Sequence, residues 1–160
     1  MKINKLIIDS TNSNTDLCKL AVKYPTDKCP YHNNSTLHRH AYTSVYNLIF
    51  SNIRYNELII GEVGILDNNS MLCWREFFPN ALLFGYEYHQ NKLDKAINDK
   101  VDRASYIHVD VTNEQSLKDV FSEVNFFDII VEDSTHVFEY QIRFLNIDYK
   151  CVKPGGTIVI

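Results

Sequence analysis

Four short stretches of this sequence put acids where they could do chemistry. Glu62 stands two residues before Gly64, Glu87 and Asp110 each close an apolar run, and Glu132-Asp133-Ser134-Thr135-His136 closes another. A carboxylate can accept hydrogen bonds from paired hydroxyls, such as those of a ribose, or hold a cation. An imidazole can move a proton near neutral pH. Asp133 and His136 are spaced so that one turn can carry carboxylate and imidazole on the same side. Past Gly64 a polar loop leads to Ser70, read as the N-cap of a helix starting near Met71. A strand, a glycine turn and a helix N-terminus together present backbone N–H groups to an anionic or polar ligand. Asn68-Asn69 occupy the place of glycines in a dinucleotide-binding loop, and no G-x-G-x-x-G is present. Taken alone, the loop fits a cofactor site or a plain connection.

Strands must bring these acids together. Residues 57–63 read as a strand buried on both faces, because Leu58-Ile59-Ile60 is a continuous apolar run rich in β-branched residues. A helix over 70–78 ends at Pro79-Asn80. Strand Leu82–Tyr88, a polar helix near 90–98 and strand Ser105–Val109 follow. Thr112 with Gln115 reads as a capping box for a helix running to Val124. Strand Phe127–Val131 leads to a long helix near 137–152, and Pro154-Gly155-Gly156 reads as a turn into strand Thr157–Ile160. Alternation of this kind gives an α/β fold, a doubly wound, mostly parallel sheet with right-handed crossovers. Ligands of such sheets bind outside the carboxyl ends of the strands. All four of the first strand ends carry an acid.

Residues 1–54 read as an N-terminal helical cap segment and residues 55–160 as the α/β core. Lys2 to Ile8 fits a short strand or a helix start. Residues 15–24 place Leu17, Leu20 and Ala21 on one helical face before Pro25. A polar loop with His32 and His38 leads to a helix over 40–53, with Tyr42, Val45, Tyr46, Ile49 and Phe50 inward. The histidine spacings fit no common zinc pattern.

At 160 residues the chain is one domain's length, with 45% hydrophobic residues and a net charge of −4. That charge argues against a nucleic-acid partner. No apolar run reaches the ~20 residues of a membrane span, and the first residues do not make a signal peptide. Cys18, Cys29, Cys73 and Cys151 are scattered and read as buried thiols rather than a disulfide or zinc set. The expectation is a soluble cytoplasmic protein.

From Glu62 through Val63-Gly64 and Ser70 to Trp74, the chain resembles the first motif, E-I-G-V-x-x-G-G-S-L-x-x-W, of class I S-adenosylmethionine-dependent methyltransferases. It is more closely similar to the metal-dependent sugar O-methyltransferases that act on macrolide and related glycosides. Phe77-Phe78-Pro79-Asn80-Ala81, Gly85-Tyr86-Glu87, the stretch Phe127 to His136 (similar to F-D-I-V-I-D-D-G-S-H) and Lys153-Pro154-Gly155-Gly156 continue the likeness. Thr26-Asp27-Lys28 and His40-Ala41-Tyr42 resemble that family's T-D-K and H-x-Y elements. The resemblance implies a Rossmann-like methyltransferase fold, S-adenosylmethionine and Mg2+ as cofactors, and a sugar or glycoside hydroxyl as acceptor. It implies that Glu62, Gly64, Ser70, Glu87 and Asp110 bind the cofactor, with Glu62 near its amino-acid moiety, Glu87 on the ribose and Asp110 at the adenine end. Asp133 would be a metal ligand and His136 the general base.

The chain departs from the pattern at three places. Asn68-Asn69 replace a glycine pair, and Ser134 replaces a glycine, a loss that costs backbone freedom if φ there is positive. The acidic pair and further strands that the family carries beyond this point do not follow Ile160, so the reading includes a fragment, or a cofactor-binding remnant without turnover, as its alternative. A five-stranded sheet also leaves an open edge, which invites pairing with a second copy.

Overall fold

The computed structural model describes residues 14–30 and 40–160; the expectations for Lys2 to Ile8, His32 and His38 lie outside the described residues. The chain divides into two compact units, Met1–Arg54 and Tyr55–Ile160.

In the first unit, α1 (Asp16–Lys23) starts where Thr15 caps it, its hydroxyl accepting from the Cys18 N–H at 3.3 Å. Leu17, Cys18 and Ala21 form its buried face. α2 (Thr43–Phe50) starts later than the sequence suggests and ends in a short 3-10 turn, Ser51–Ile53. It buries Thr43, Ser44, Tyr46 and Phe50, whereas Ile49, expected inward, is 48% exposed. The phase is set by Thr43, whose hydroxyl lies 3.3 Å from the Cys18 sulfur and whose N–H donates to Lys28.

In the second unit, β1 (Ile59–Val63), β2 (Leu82–Glu87), β3 (Ala104–His108), β4 (Phe127–Glu132) and β5 (Val152–Val159) make one sheet in the order β3-β2-β1-β4-β5. Every pairing is parallel, so a doubly wound, Rossmann-like sheet is what these strands build. The crossovers are α3 (Asn69–Phe77), α4 (Gln90–Asn98), α5 (Glu114–Val120) and α6 (Phe138–Asp148). The strand order reverses between β1 and β4, and their carboxyl ends flank the crevice where such sheets take ligands. One face of the sheet packs Val63, Tyr86, Phe121, Phe127, Ile130 and Phe144 together. Phe121 links the strands to α6, its ring 4.8 Å from Tyr86 and 5.5 Å from Phe144. Each such ring contributes about 1.5–3 kcal/mol when removed from water.

Three local expectations are corrected. Ser70 is not a cap: α3 begins at Asn69 and the capping position is Asn68. Thr112 does not open a capping box, because Asn113 caps α5, accepting from the N–H groups of Gln115 and Ser116. Thr112 instead donates to Asp110. Last, Pro154-Gly155-Gly156 lies inside β5 rather than before it. The pairing jumps from Phe127↔Val152 to Ile129↔Thr157, a bulge in which Gly155 takes φ 82°. Among the described residues no helix is long and apolar enough to cross a membrane, and the four cysteines are buried free thiols.

Candidate active site

β1 ends against both neighbours. Gly64 N–H donates to Tyr86 O at 2.8 Å, and Asp133 N–H donates to Val63 O at 2.9 Å. Gly64 has φ +87°, and a Cβ there would lie 2.5 Å from Asp133 O and 2.6 Å from Ser134 Cα. Only glycine satisfies both the dihedral and the space. The glycine therefore brings the loop after β1 into backbone contact with the turn after β4.

Glu87 fastens that loop from the other side. One carboxylate oxygen accepts from Leu66 N–H at 3.0 Å and the other from His89 N–H at 2.9 Å, with the residue only 5% exposed. A carboxylate offers about four lone-pair sites, so two remain for a ligand's hydroxyls. Asp110 stands at the end of β3, where one oxygen accepts from both the N–H and the hydroxyl of Thr112, at 2.9 and 2.7 Å. Its second oxygen takes no hydrogen bond among the described residues. Ser70 is the second residue of α3 and is buried. Glu62 is the penultimate residue of β1. It has no exposed surface, and its carboxylate accepts from the Trp74 indole N–H at 2.5 Å, under α3.

The turn after β4 separates two acids that are adjacent in sequence, because neighbouring strand residues face opposite ways. Glu132 is buried and holds the turn, accepting from both the N–H and the hydroxyl of Ser134. The Asp133 side chain, 7% exposed, lies beside His136, with His136 Nε2 3.8 Å from Asp133 Oδ1. His136 has φ 56°, a left-handed conformation uncommon for a non-glycine residue. It precedes α6 and its cap, Val137, so it is not part of the helix. Among the described residues no group of three or more His, Cys, Asp or Glu is placed to hold a metal ion. For a magnesium ion, Asp133 is one carboxylate oxygen donor where an octahedral shell needs six, so the remainder would be water or other oxygens.

Sequence reasoning noted Asn68 only as a replacement for glycine and missed its partner Asp99. Asn68 is wholly buried at φ 68°, and its side-chain N–H donates to Asp99 at 3.0 Å. A left-handed asparagine in place of glycine is the signal that could have found it. In the first unit, the T-D-K and H-A-Y stretches do come together: His40 N–H donates to Asp27 O at 3.0 Å, and the His40 and Tyr42 rings stack at 4.9 Å. Lys28 is buried, its ammonium 3.8 Å from Asp27.

Compared with known proteins, the fold has clear counterparts. The MycE methyltransferase of the mycinamycin pathway, solved with Mg, SAH and mycinamycin VI, superposes with a TM-score of 0.71 at 23% identity, over 90% of this chain and 38% of that one. The fold is that of a methyltransferase. No family model matches the chain. Among curated relatives, a rhamnosyl-tetracenomycin-C 3'-O-methyltransferase of Streptomyces olivaceus is 26% identical, covering 99% of this chain and 39% of its own. Demethylmacrocin O-methyltransferase of Streptomyces fradiae is 26% identical over 94% of this chain and 37% of its own. The chain thus spans under two fifths of the length of the curated relatives it matches, and those relatives are named as O-methyltransferases.

Proposed function

We propose that the protein is an S-adenosylmethionine-dependent O-methyltransferase acting on a hydroxyl of a sugar or glycoside. The observation that carries this reading is the gathering of Gly64, Glu87, Asp110, Asp133 and His136 at one edge of the sheet, with Gly64 packed on the Asp133 backbone. The relatives' names and the magnesium and SAH bound by MycE support the same cofactors here. When bound, S-adenosylmethionine supplies a methyl carbon made electrophilic by its sulfonium.

Glu87 would accept from the ribose hydroxyls with its remaining lone pairs, and Asp110 would hold the adenine end through its open oxygen. The first turn of α3, including Ser70, would present N–H groups to the cofactor's polar end. Glu62 acts one layer further out, by fixing Trp74 and so α3. His136 takes the proton of the acceptor hydroxyl as its oxygen bonds to the methyl carbon and the carbon–sulfur bond breaks. Asp133, at 3.8 Å, orients that imidazole and offers a carboxylate to Mg2+, which would lower the hydroxyl's pKa.

We assign residues 55–160 as the cofactor-binding core and 1–54 as a helical cap segment, and place the protein in the cytoplasm, as its free thiols favour. The net charge of −4 supports a small-molecule acceptor rather than nucleic acid. Transfer of a labelled methyl group from S-adenosylmethionine to a glycoside hydroxyl tests the reading. Binding without transfer to any glycoside would make the chain a cofactor binder, and binding of neither S-adenosylmethionine nor S-adenosylhomocysteine would sink the assignment.

A further inference from the structure

Asn68 stands at the capping position of α3 yet makes no capping bond. Asn113, the same residue type at the same position of α5, accepts from two N–H groups of its helix. The difference is where the amide goes. Asn68 takes a left-handed backbone, and its amide donates away from α3 to Asp99, at the end of α4. α4 reaches the loop at two more points. Lys95 donates to Asp67 O at 3.0 Å and to Asp99 at 3.0 Å, and Lys92 pairs with the Asp67 carboxylate at 3.4 Å. Burial raises the Asp99 pKa, but the bonds from Asn68 and Lys95 and the Lys95 charge outweigh it and hold that carboxyl below its ordinary range. The loop at 66–68 thus has no glycine of its own, and it carries two left-handed residues, Leu66 and Asn68.

We propose that Asn68, Asp99 and Lys95 are positioning residues, a side-chain clamp that holds the β1–α3 loop in its ligand-binding shape. The proposal rests on the cofactor reading above for its ligand, but the clamp itself is a property of the loop. Asp99 touches no ligand in this account and acts only through Asn68.

The test combines hydrogen exchange at residues 65–70 with calorimetric titration of S-adenosylhomocysteine. Asp99→Ala should speed exchange in that loop while the turn at 133–136 keeps its protection, and should weaken binding by about tenfold. Asp99→Asn keeps an acceptor for Asn68 and should recover most of both. In an Asn68→Gly background, where glycine adopts the left-handed backbone unaided, Asp99→Ala should have no further effect on affinity. Unchanged loop exchange in Asp99→Ala overturns the clamp, as does an equal loss of affinity with and without Asn68. Faster loop exchange in a chain whose wild type ignores S-adenosylhomocysteine supports the clamp and sinks the cofactor reading instead.

Discussion

The loop after β1 and the turn after β4 both lack a glycine that the family resemblance leads one to expect, and they meet the loss differently. After β1, Asn68 takes over the left-handed backbone and is bonded to Asp99 while doing so. After β4, Ser134 needs no such freedom: the left-handed residue is His136, two positions on. The Ser134 hydroxyl and N–H instead bond Glu132 and close the turn. A glycine in a motif can therefore stand for a dihedral or merely for small size, and only the first kind needs a substitute with special backbone tolerance. In the β4 turn the unusual dihedral falls on His136, the proposed base, and strained backbone tends to be found at functional positions.

The largest effect that would sharpen this comparison is at His136. His136→Ala should lower methyl transfer by ~10²–10⁴-fold and leave S-adenosylhomocysteine affinity nearly intact. His136→Asn, which tolerates the same backbone but takes up no proton, should fall as far. Transfer at the wild-type rate in His136→Asn would assign that residue to turn geometry alone.

Gly64 and Ser134 should both lose stability on substitution, for different reasons and by different amounts. Gly64→Ala forces a Cβ against Asp133 O at a left-handed φ, and should cost roughly 1–3 kcal/mol or more in urea unfolding. Ser134→Gly gains nothing from backbone freedom and loses the bond to Glu132, so it should cost about 1 kcal/mol. A stabilising Ser134→Gly would mean that the turn after β4 is strained at Ser134 after all.

A smaller effect lies beneath the β1 loop, at Tyr106. Burial raises its hydroxyl pKa from 10.0 to about 12, against a lowering pull from the Asn68 amide. A folded pKa above the unfolded one means that the folded state holds the proton more tightly. Its contribution is full below pH 10.0, and stability should decline as pH rises from there toward about 12. Tyr106→Phe should flatten that alkaline limb in thermal melts. An identical limb in the variant would place its origin elsewhere.

Much of this was legible in the sequence because apolar strand runs and strand-end acids repeat at regular intervals. The parallel sheet follows from that alternation, and Glu87, Asp110 and Asp133 do stand at strand ends. What was not legible is the partner each side chain takes. Glu62 and Glu132 read as edge acids, and each is buried and bonded to a neighbour, Trp74 or Ser134, that no strand pattern announces. Caps were misread by one or two residues at Ser70 and Thr112, since a serine or threonine near a helix start can serve a loop instead. The Asn68–Asp99 bond joins residues 31 apart, with no local pattern to announce it.

The central claim is that the carboxyl edge of this sheet binds the adenosyl cofactor, with Glu87 on its ribose. Titration calorimetry of S-adenosylhomocysteine against wild type and Glu87→Ala measures it most directly. Hydrogen bonds from hydroxyls to a charged group contribute ~1.5–3 kcal/mol each, so the variant should lose on the order of tenfold or more in affinity. A 2'-deoxyribose analogue should lose less in the variant than in wild type, since its missing hydroxyl no longer has a partner to forfeit. Equal affinity of the two proteins for S-adenosylhomocysteine would contradict the account.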